Sequence, residues 1–167
     1  MDFKDLVQHR RSIRSFTSQP VSEADCKALL RAALMSPTGK NSRAWQFLVV
    51  TEPTQLQALA KCKPQSGDFI AEAPLSIVVL GNPSVTDTWV EDASIAAITI
   101  QYQAAELGLG SCWCQIRGRE GAESAVRQLL NIPAHLAVLC VIAVGHPAIP
   151  RKPQNEEALK WSQVIGL

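Results

Sequence analysis

Helices alternating with strands around a buried sheet form the fold class that the sequence predicts, and three observations carry it. Leu75-Ser76-Ile77-Val78-Val79-Leu80 is a continuous apolar, β-branched run, the pattern of a strand buried on both faces. From Thr88 onward, Ala93, Ile95, Ala96, Ala97, Ile98, Ile100, Tyr102, Ala104 and Ala105 set apolar side chains almost all round a long helix. Such a helix is buried on most sides, in the core or at a subunit interface. The chain has 167 residues, 47% of them hydrophobic, which suits one domain, residues 1–167, with a core that needs no disulfide or metal. By pattern alone, strands separated by helices suggest a parallel, doubly wound sheet.

The elements follow in order. Phe3, Leu6 and Val7 have helical spacing between Asp2 and Arg10. Ser22 reads as an N-cap with Asp25 three residues on, and the helix runs through Leu29, Leu30, Ala33 and Leu34 until Pro37 stops it. Gln46 to Thr51 reads as a strand, and Pro53 to Cys62 as a helix ended by Pro64. Thr88 and Glu91 stand at capping-box spacing at the start of the long helix, and Gly108 and Gly110 end it. A strand near Ser111 to Gln115, a helix from about Glu120 to Leu130 and a strand from Ala137 to Val144 complete the set. From Pro147 to Leu167 the chain is polar and proline-rich, with isolated Leu159, Trp161, Val164 and Ile165. A tail embracing a partner subunit would bury them.

Composition excludes several function classes. The formal net charge of +1 gives no bulk attraction to nucleic acid or to a membrane surface. The N-terminus lacks a signal-peptide pattern, and the longest apolar runs are too short to span a bilayer, so a cytoplasmic protein is expected. Cys26, Cys62, Cys112, Cys114 and Cys140 are odd in number and read as element interior, with Cys112 and Cys114 on one face if their segment is extended. His9, His135 and His146 are scattered, and no metal site is expected. Thr38-Gly39-Lys40 imitates a phosphate loop, but Leu34 stands in place of the first glycine and Asn41 in place of the magnesium-binding hydroxyl. A nucleotide triphosphatase is rejected on that ground.

Arg10-Arg11-Ser12-Ile13-Arg14-Ser15-Phe16 sets three guanidinium groups and two hydroxyls around one bend after a helix. Arginine forks fit phosphate in bidentate fashion, so the cluster asks for an anion. Further along stand Ser36-Pro37-Thr38-Gly39-Lys40-Asn41-Ser42-Arg43-Ala44-Trp45-Gln46-Phe47, then Gly108-Leu109-Gly110-Ser111-Cys112-Trp113, Ala143-Val144-Gly145-His146-Pro147-Ala148, and the tail segment beginning Arg151-Lys152-Pro153. In this order, and across nearly the whole chain, these motifs resemble the nitroreductase family of FMN-dependent oxidoreductases, its short members above all. The resemblance implies an α+β fold with a mixed β-sheet flanked by helices, and a C-terminal arm of about residues 147–167 reaching onto the partner of a homodimer. It replaces the parallel arrangement that pattern suggests.

The resemblance also implies roles. Arg10, Ser12 and the backbone of Arg11 would meet the phosphate and ribityl of FMN, with Arg151 and Lys152 adding from the tail. Arg14, where family members often have lysine, would bring a fixed cation to the pyrimidine edge of the flavin. Pro37, Thr38, Gly39 and Asn41 match a loop that reaches the flavin of the other subunit, although Arg43-Ala44 replaces the common Gln-Pro before the tryptophan. Trp113, Cys114, Gln115 and Ile116 align with the stretch whose backbone N–H contacts the N5 region. Trp45 and Phe69, with Trp113, are candidate aromatic contacts for substrate. No side chain is assigned as catalytic, because flavin N5 carries the chemistry. The implied activity passes electrons from NAD(P)H to nitroaromatics, quinones or a similar small acceptor by a ping-pong mechanism. The alternatives are an FMN carrier or sensor without turnover, a non-reductase member of the same family, and a module for some other phosphate ligand.

Overall fold

In the computed structural model, which describes residues 1–166, four strands form one sheet: β1 (Trp45–Val50), β2 (Leu75–Gly81), β3 (Gly110–Gln115) and β4 (Ala137–Gly145). Their order is β1-β2-β4-β3 and every neighbouring pair is antiparallel. The parallel arrangement that alternation suggests is therefore overturned. The parallel component of the sheet is one isolated bridge, Ser12 to Ser111, on the outer edge of β3. β2 is buried along its whole length because helices cover both faces of the sheet.

Six helices make the outer layers: α1 (Phe3–His9), α2 (Glu23–Leu34), α3 (Pro53–Lys61), α4 (Phe69–Glu72), α5 (Trp89–Glu106) and α6 (Ala122–Leu129). Side-chain alternation along β2 divides the core in two. Val78 and Leu80 face α3, α4 and α6, while Leu75, Ile77 and Val79 face α2 and α5. On β4 a bulge opposite Val79 and Leu80 turns both Leu139 and Cys140 toward the α2 and α5 side. The spare carbonyl of Leu139 then accepts from the N–H groups of Ile116 (3.2 Å) and Arg117 (3.0 Å) and draws in the end of β3.

Two helix starts show how the local chemistry resolves. The Ser22 side chain accepts from the Asp25 N–H at 3.0 Å and its hydroxyl donates to the Asp25 carboxylate at 2.7 Å, closing the N-terminus of α2. At α5 the expected box of Thr88 and Glu91 does not form, since Thr88 makes no side-chain cap and its hydroxyl donates to Asp92 at 3.3 Å instead. Asp92 is itself buried.

Past β4 the chain runs along the surface. Pro147 bridges Phe16, Gln154 exchanges hydrogen bonds with Gln8 of α1 (2.9 and 3.3 Å), and the Arg11 guanidinium donates to the carbonyl of Lys152 at 2.6 Å. Leu159, Trp161, Val164 and Ile165 stay exposed, Trp161 at 65% and Ile165 at 99%. Leu167, the end of the expected arm, lies outside the described residues.

Candidate functional site

The arginine bend is held in place by backbone. After α1 closes with the Arg10 N–H on the Leu6 carbonyl (3.0 Å), the Ile13 N–H donates to Ser111 (2.9 Å), the Ala148 N–H to Ser15 (3.0 Å) and the Thr17 N–H to His146 (2.9 Å). Residues 12 to 17 thus lie between the edge of β3 and the chain leaving β4. Ile13 and Phe16 point into the core, and Ile13 packs so close to Gly110 that a Cβ there would stand 2.8 Å from its side chain. The glycine lets the bend sit tight on the strand. With the apolar residues turned in, the arginines are left facing out.

They line two adjoining clefts. One, of about 220 Å³, has Arg10, Arg11 and Arg151 on its walls with Gln101 of α5 and Ser111 of β3. The other, of about 510 Å³, is lined by Arg11, Arg14, Ser15, Pro150, Arg151 and Lys152. The Arg14 guanidinium lies 6.0 Å from the centroid of the Phe69 ring, at cation–π range, so a cation is fixed above a buried aromatic of α4. Arg11 is shared by both clefts, with its side chain spent on the tail carbonyls. The structure therefore brings Arg10, Arg11, Arg14, Arg151 and Lys152 together, with Ser12 on the bridge beside them.

Backbone donors border the same region. Hydrogen bonds alternate in an antiparallel pair, and the Ile116 N–H on Leu139 sets the phase toward β4. The N–H groups of Trp113 and Gln115 consequently point to the outer edge of β3, the edge on which the Ser111 carbonyl meets Ile13, whereas those of Cys114 and Ile116 turn inward. The Trp113 indole N–H donates to the Gln115 side chain (2.8 Å), whose amide in turn donates to the Arg117 carbonyl (2.8 Å), fixing both side chains.

Cys112 and Cys114 share the buried face of β3 toward α3 and α6. Burial pushes the Cys112 thiol up, opposed first by Arg14, then by a hydrogen bond with Ser12, and by Arg10 and Lys63. Burial likewise raises Cys114, again against Lys63, which brings a lysine absent from the expected site close to this face. Among the described residues no group of His, Cys, Asp or Glu is arranged to hold a metal ion, and no helix is long and apolar enough to cross a membrane.

The loop of Pro37, Thr38, Gly39 and Asn41 lies elsewhere. Asp92, 3% exposed near the start of α5, accepts from the Gly39 N–H (2.8 Å), the Ser42 hydroxyl (3.2 Å) and the Thr88 hydroxyl (3.3 Å). Thr38 accepts from the Arg43 N–H (3.1 Å), and Lys40, Asn41 and Arg43 all have left-handed backbone, φ 53°, 54° and 48°. Asn41 is exposed and takes the Arg43 guanidinium at 3.1 Å. The arginine cleft meets α5 at Gln101 and Ala105, whereas the loop meets it at Asp92. At 1.5 Å per residue those contacts lie about 14 Å (Gln101) to about 20 Å (Ala105) from Asp92 along the helix. The two segments thus meet α5 at different turns. Trp45 packs into the core beside Phe47, their centroids 5.6 Å apart, with its indole N–H buried and unpartnered among the described residues.

Asp92 and Gln101 escape a reading of the sequence. Each is a polar residue on the face of α5 that also buries Ala93, Ala96, Ala97, Ile100 and Ala104, and that placement is the one signal the sequence offers. What the geometry can do chemically is hold an anion between guanidinium groups, beside a strand edge with free N–H donors and a fixed cation over an aromatic ring.

Known proteins share this arrangement of elements. An FMN-dependent nitroreductase from Clostridium difficile R20291 superposes with a TM-score of 0.94 at 38% identity, covering 97% of each chain. A relative from Archaeoglobus fulgidus, whose name joins NADH dehydrogenase with NAD(P)H nitroreductase, is 33% identical over 146 residues, 85% of this chain and 83% of that one. The FMN reductase (NADPH) of Bacillus subtilis is 26% identical over 170 residues, 86% of this chain and 65% of that one. The model of the Nitroreductase family matches residues 7–146, a span that holds the arginine bend, the Asp92-anchored loop and the edge of β3, and the chain belongs to that family.

Proposed function

We propose that this protein is an FMN-dependent oxidoreductase that takes electrons from NAD(P)H and gives them to a nitroaromatic, a quinone or a similar small acceptor. The observation that carries the reading is the arginine cleft bordered by the free N–H edge of β3. The donor set fits FMN: guanidinium forks of Arg10 and Arg151 match a phosphate, and the Trp113 and Gln115 N–H groups suit the polar edge of a flat ring. FMN, when bound, supplies the two-electron chemistry that these side chains cannot. The chain's own part is to bind and orient. Arg10, Arg151 and Lys152 would neutralise the phosphate, with the Ser12 hydroxyl and the Arg11 backbone beside it. Arg14, propped on Phe69, would present positive charge where electron density gathers.

A homodimer completes the proposal. The loop of Pro37, Thr38, Gly39 and Asn41 meets α5 about 14–20 Å along the helix from the cleft of its own chain, so it would serve that of a partner. The exposed Leu159, Trp161, Val164 and Ile165 would be covered on the same partner. The deciding experiment is an anaerobic absorbance spectrum of protein loaded with FMN, before and after NADH and then NADPH. Rapid bleaching is the expected result and identifies the donor. Bound FMN that stays oxidised would instead indicate a carrier, and protein that binds no FMN would end the proposal.

A further inference from the structure

The 220 Å³ cleft contains two polar side chains that neither the sequence motifs nor the proposed function uses, His9, whose Nδ1 is engaged with the Asp5 carbonyl at 2.7 Å, and Gln101. Gln101 projects from α5 onto the cleft wall and is 4% exposed. Its polar neighbours on α5 are satisfied: the Thr99 hydroxyl donates to Ile95 (2.8 Å) and the Gln103 amide to Glu106 (3.1 Å). The Gln101 carboxamide has no hydrogen-bond partner among the described residues. Among the described residues the fully buried side-chain atoms without a partner are Trp45 Nε1 and Ser76 Oγ; the Gln101 amide is not one of them, so it opens onto the cleft and is available to a group held there. Across the cleft stand Arg10 and Arg151, with Arg11, whose guanidinium already donates to the Lys152 carbonyl, beside them. Ala105, one turn beyond Gln101, and Gly108 are small and leave the space between open.

We infer that Gln101 is a ligand residue of this cleft, its Nε2 donating to a terminal phosphate-monoester oxygen held by the arginines. The inference rests on the FMN reading and adds a neutral donor to it from a helix outside the arginine motif. An anion between guanidinium groups leaves lone pairs directed at α5, and a carboxamide can turn its N–H₂ toward them, which a carboxylate in its place could not do.

The test titrates the full-length protein with FMN and with riboflavin, which lacks the phosphate, following flavin fluorescence. Gln101→Leu should weaken FMN about tenfold, the loss of one hydrogen bond to a charged group, and leave riboflavin affinity unchanged. The ligand-free Leu variant should melt close to the parent, since the amide bonds no other described residue of the protein. Gln101→Glu should weaken FMN further by facing the phosphate with like charge. If the Leu variant fails to fold, Gln101→Met, close in length, takes its place. Unchanged FMN affinity, or equal losses for FMN and riboflavin, would overturn the inference. Arg10→Ala separates it from its parent: if that change also leaves FMN binding intact, the phosphate reading itself fails.

Discussion

Replacing Asp92 by alanine tests whether the loop of residues 38–43 is strained in readiness for a ligand. The carboxylate takes three donors, from Gly39, Ser42 and Thr88, and at about 1.5 kcal/mol for each bond to a charged acceptor it contributes roughly 4–5 kcal/mol. Against this stand three non-glycine residues with left-handed backbone, Lys40, Asn41 and Arg43, at about 1 kcal/mol each. Once Asp92 is gone the loop relaxes and that strain is released. The net loss of folding stability should therefore be about 1–2 kcal/mol, well below the sum of the bonds.

The remainder, about 3 kcal/mol, does not vanish. It must be supplied again when FMN binds and the loop is forced back, so affinity should fall by about a hundredfold. Urea unfolding of the ligand-free protein gives the first number, and FMN titration of the folded variant gives the second. Asp92→Asn keeps an acceptor for Gly39 and should lie between the two. If Asp92→Ala loses the full 4–5 kcal/mol of stability while folded protein binds FMN normally, the loop is not held in a binding conformation and the reasoning is wrong.

The other predictions concern the tail and the thiols. Removing residues 151–167 deletes Arg151, Lys152 and the exposed Leu159, Trp161, Val164 and Ile165, so the shortened chain should run as a monomer on size exclusion and hold little FMN. A fully loaded dimer of the shortened chain would remove the tail from the account. Burial raises all five thiols above the ordinary value of 9.0, so exposure separates them: at neutral pH iodoacetamide should slowly modify the partly exposed Cys26 and Cys62 and spare the buried Cys112, Cys114 and Cys140. The same shift sets a direction with pH. Unfolded chains release these protons first, so the stability that depends on neutral thiols is complete below pH 9.0 and falls as pH rises beyond it, which melting temperatures across the alkaline range would record.

Residue periodicity made most of the elements legible, because α2, α3, α5, β2 and β4 each bury a stripe or a run long enough to stand out. Strand direction was not legible. The continuous run of β2 reports burial on two faces, and that burial exists here in an antiparallel sheet as it would in a parallel one. Phe69 lies on a helix of four residues, too short to show any period. The arginine bend was readable because its chemistry is local, three guanidinium groups within five residues. The Asp92 anchor was not, since its partner Gly39 lies 53 positions away and its effect is to strain residues that carry no glycine signal. Thr88 makes the same point at closer range: its capping pattern with Glu91 is correct as a local rule, yet the hydroxyl goes to Asp92, one turn on along the same helix, which the loop also engages. The length of α5 was evident from its pattern, but which end of it each motif meets is decided by Gly39 on Asp92 and by Ile13 on Ser111. Those contacts seat the loop on the first turn of an 18-residue helix and the arginine bend beside its later turns, a separation that no local pattern in either segment records.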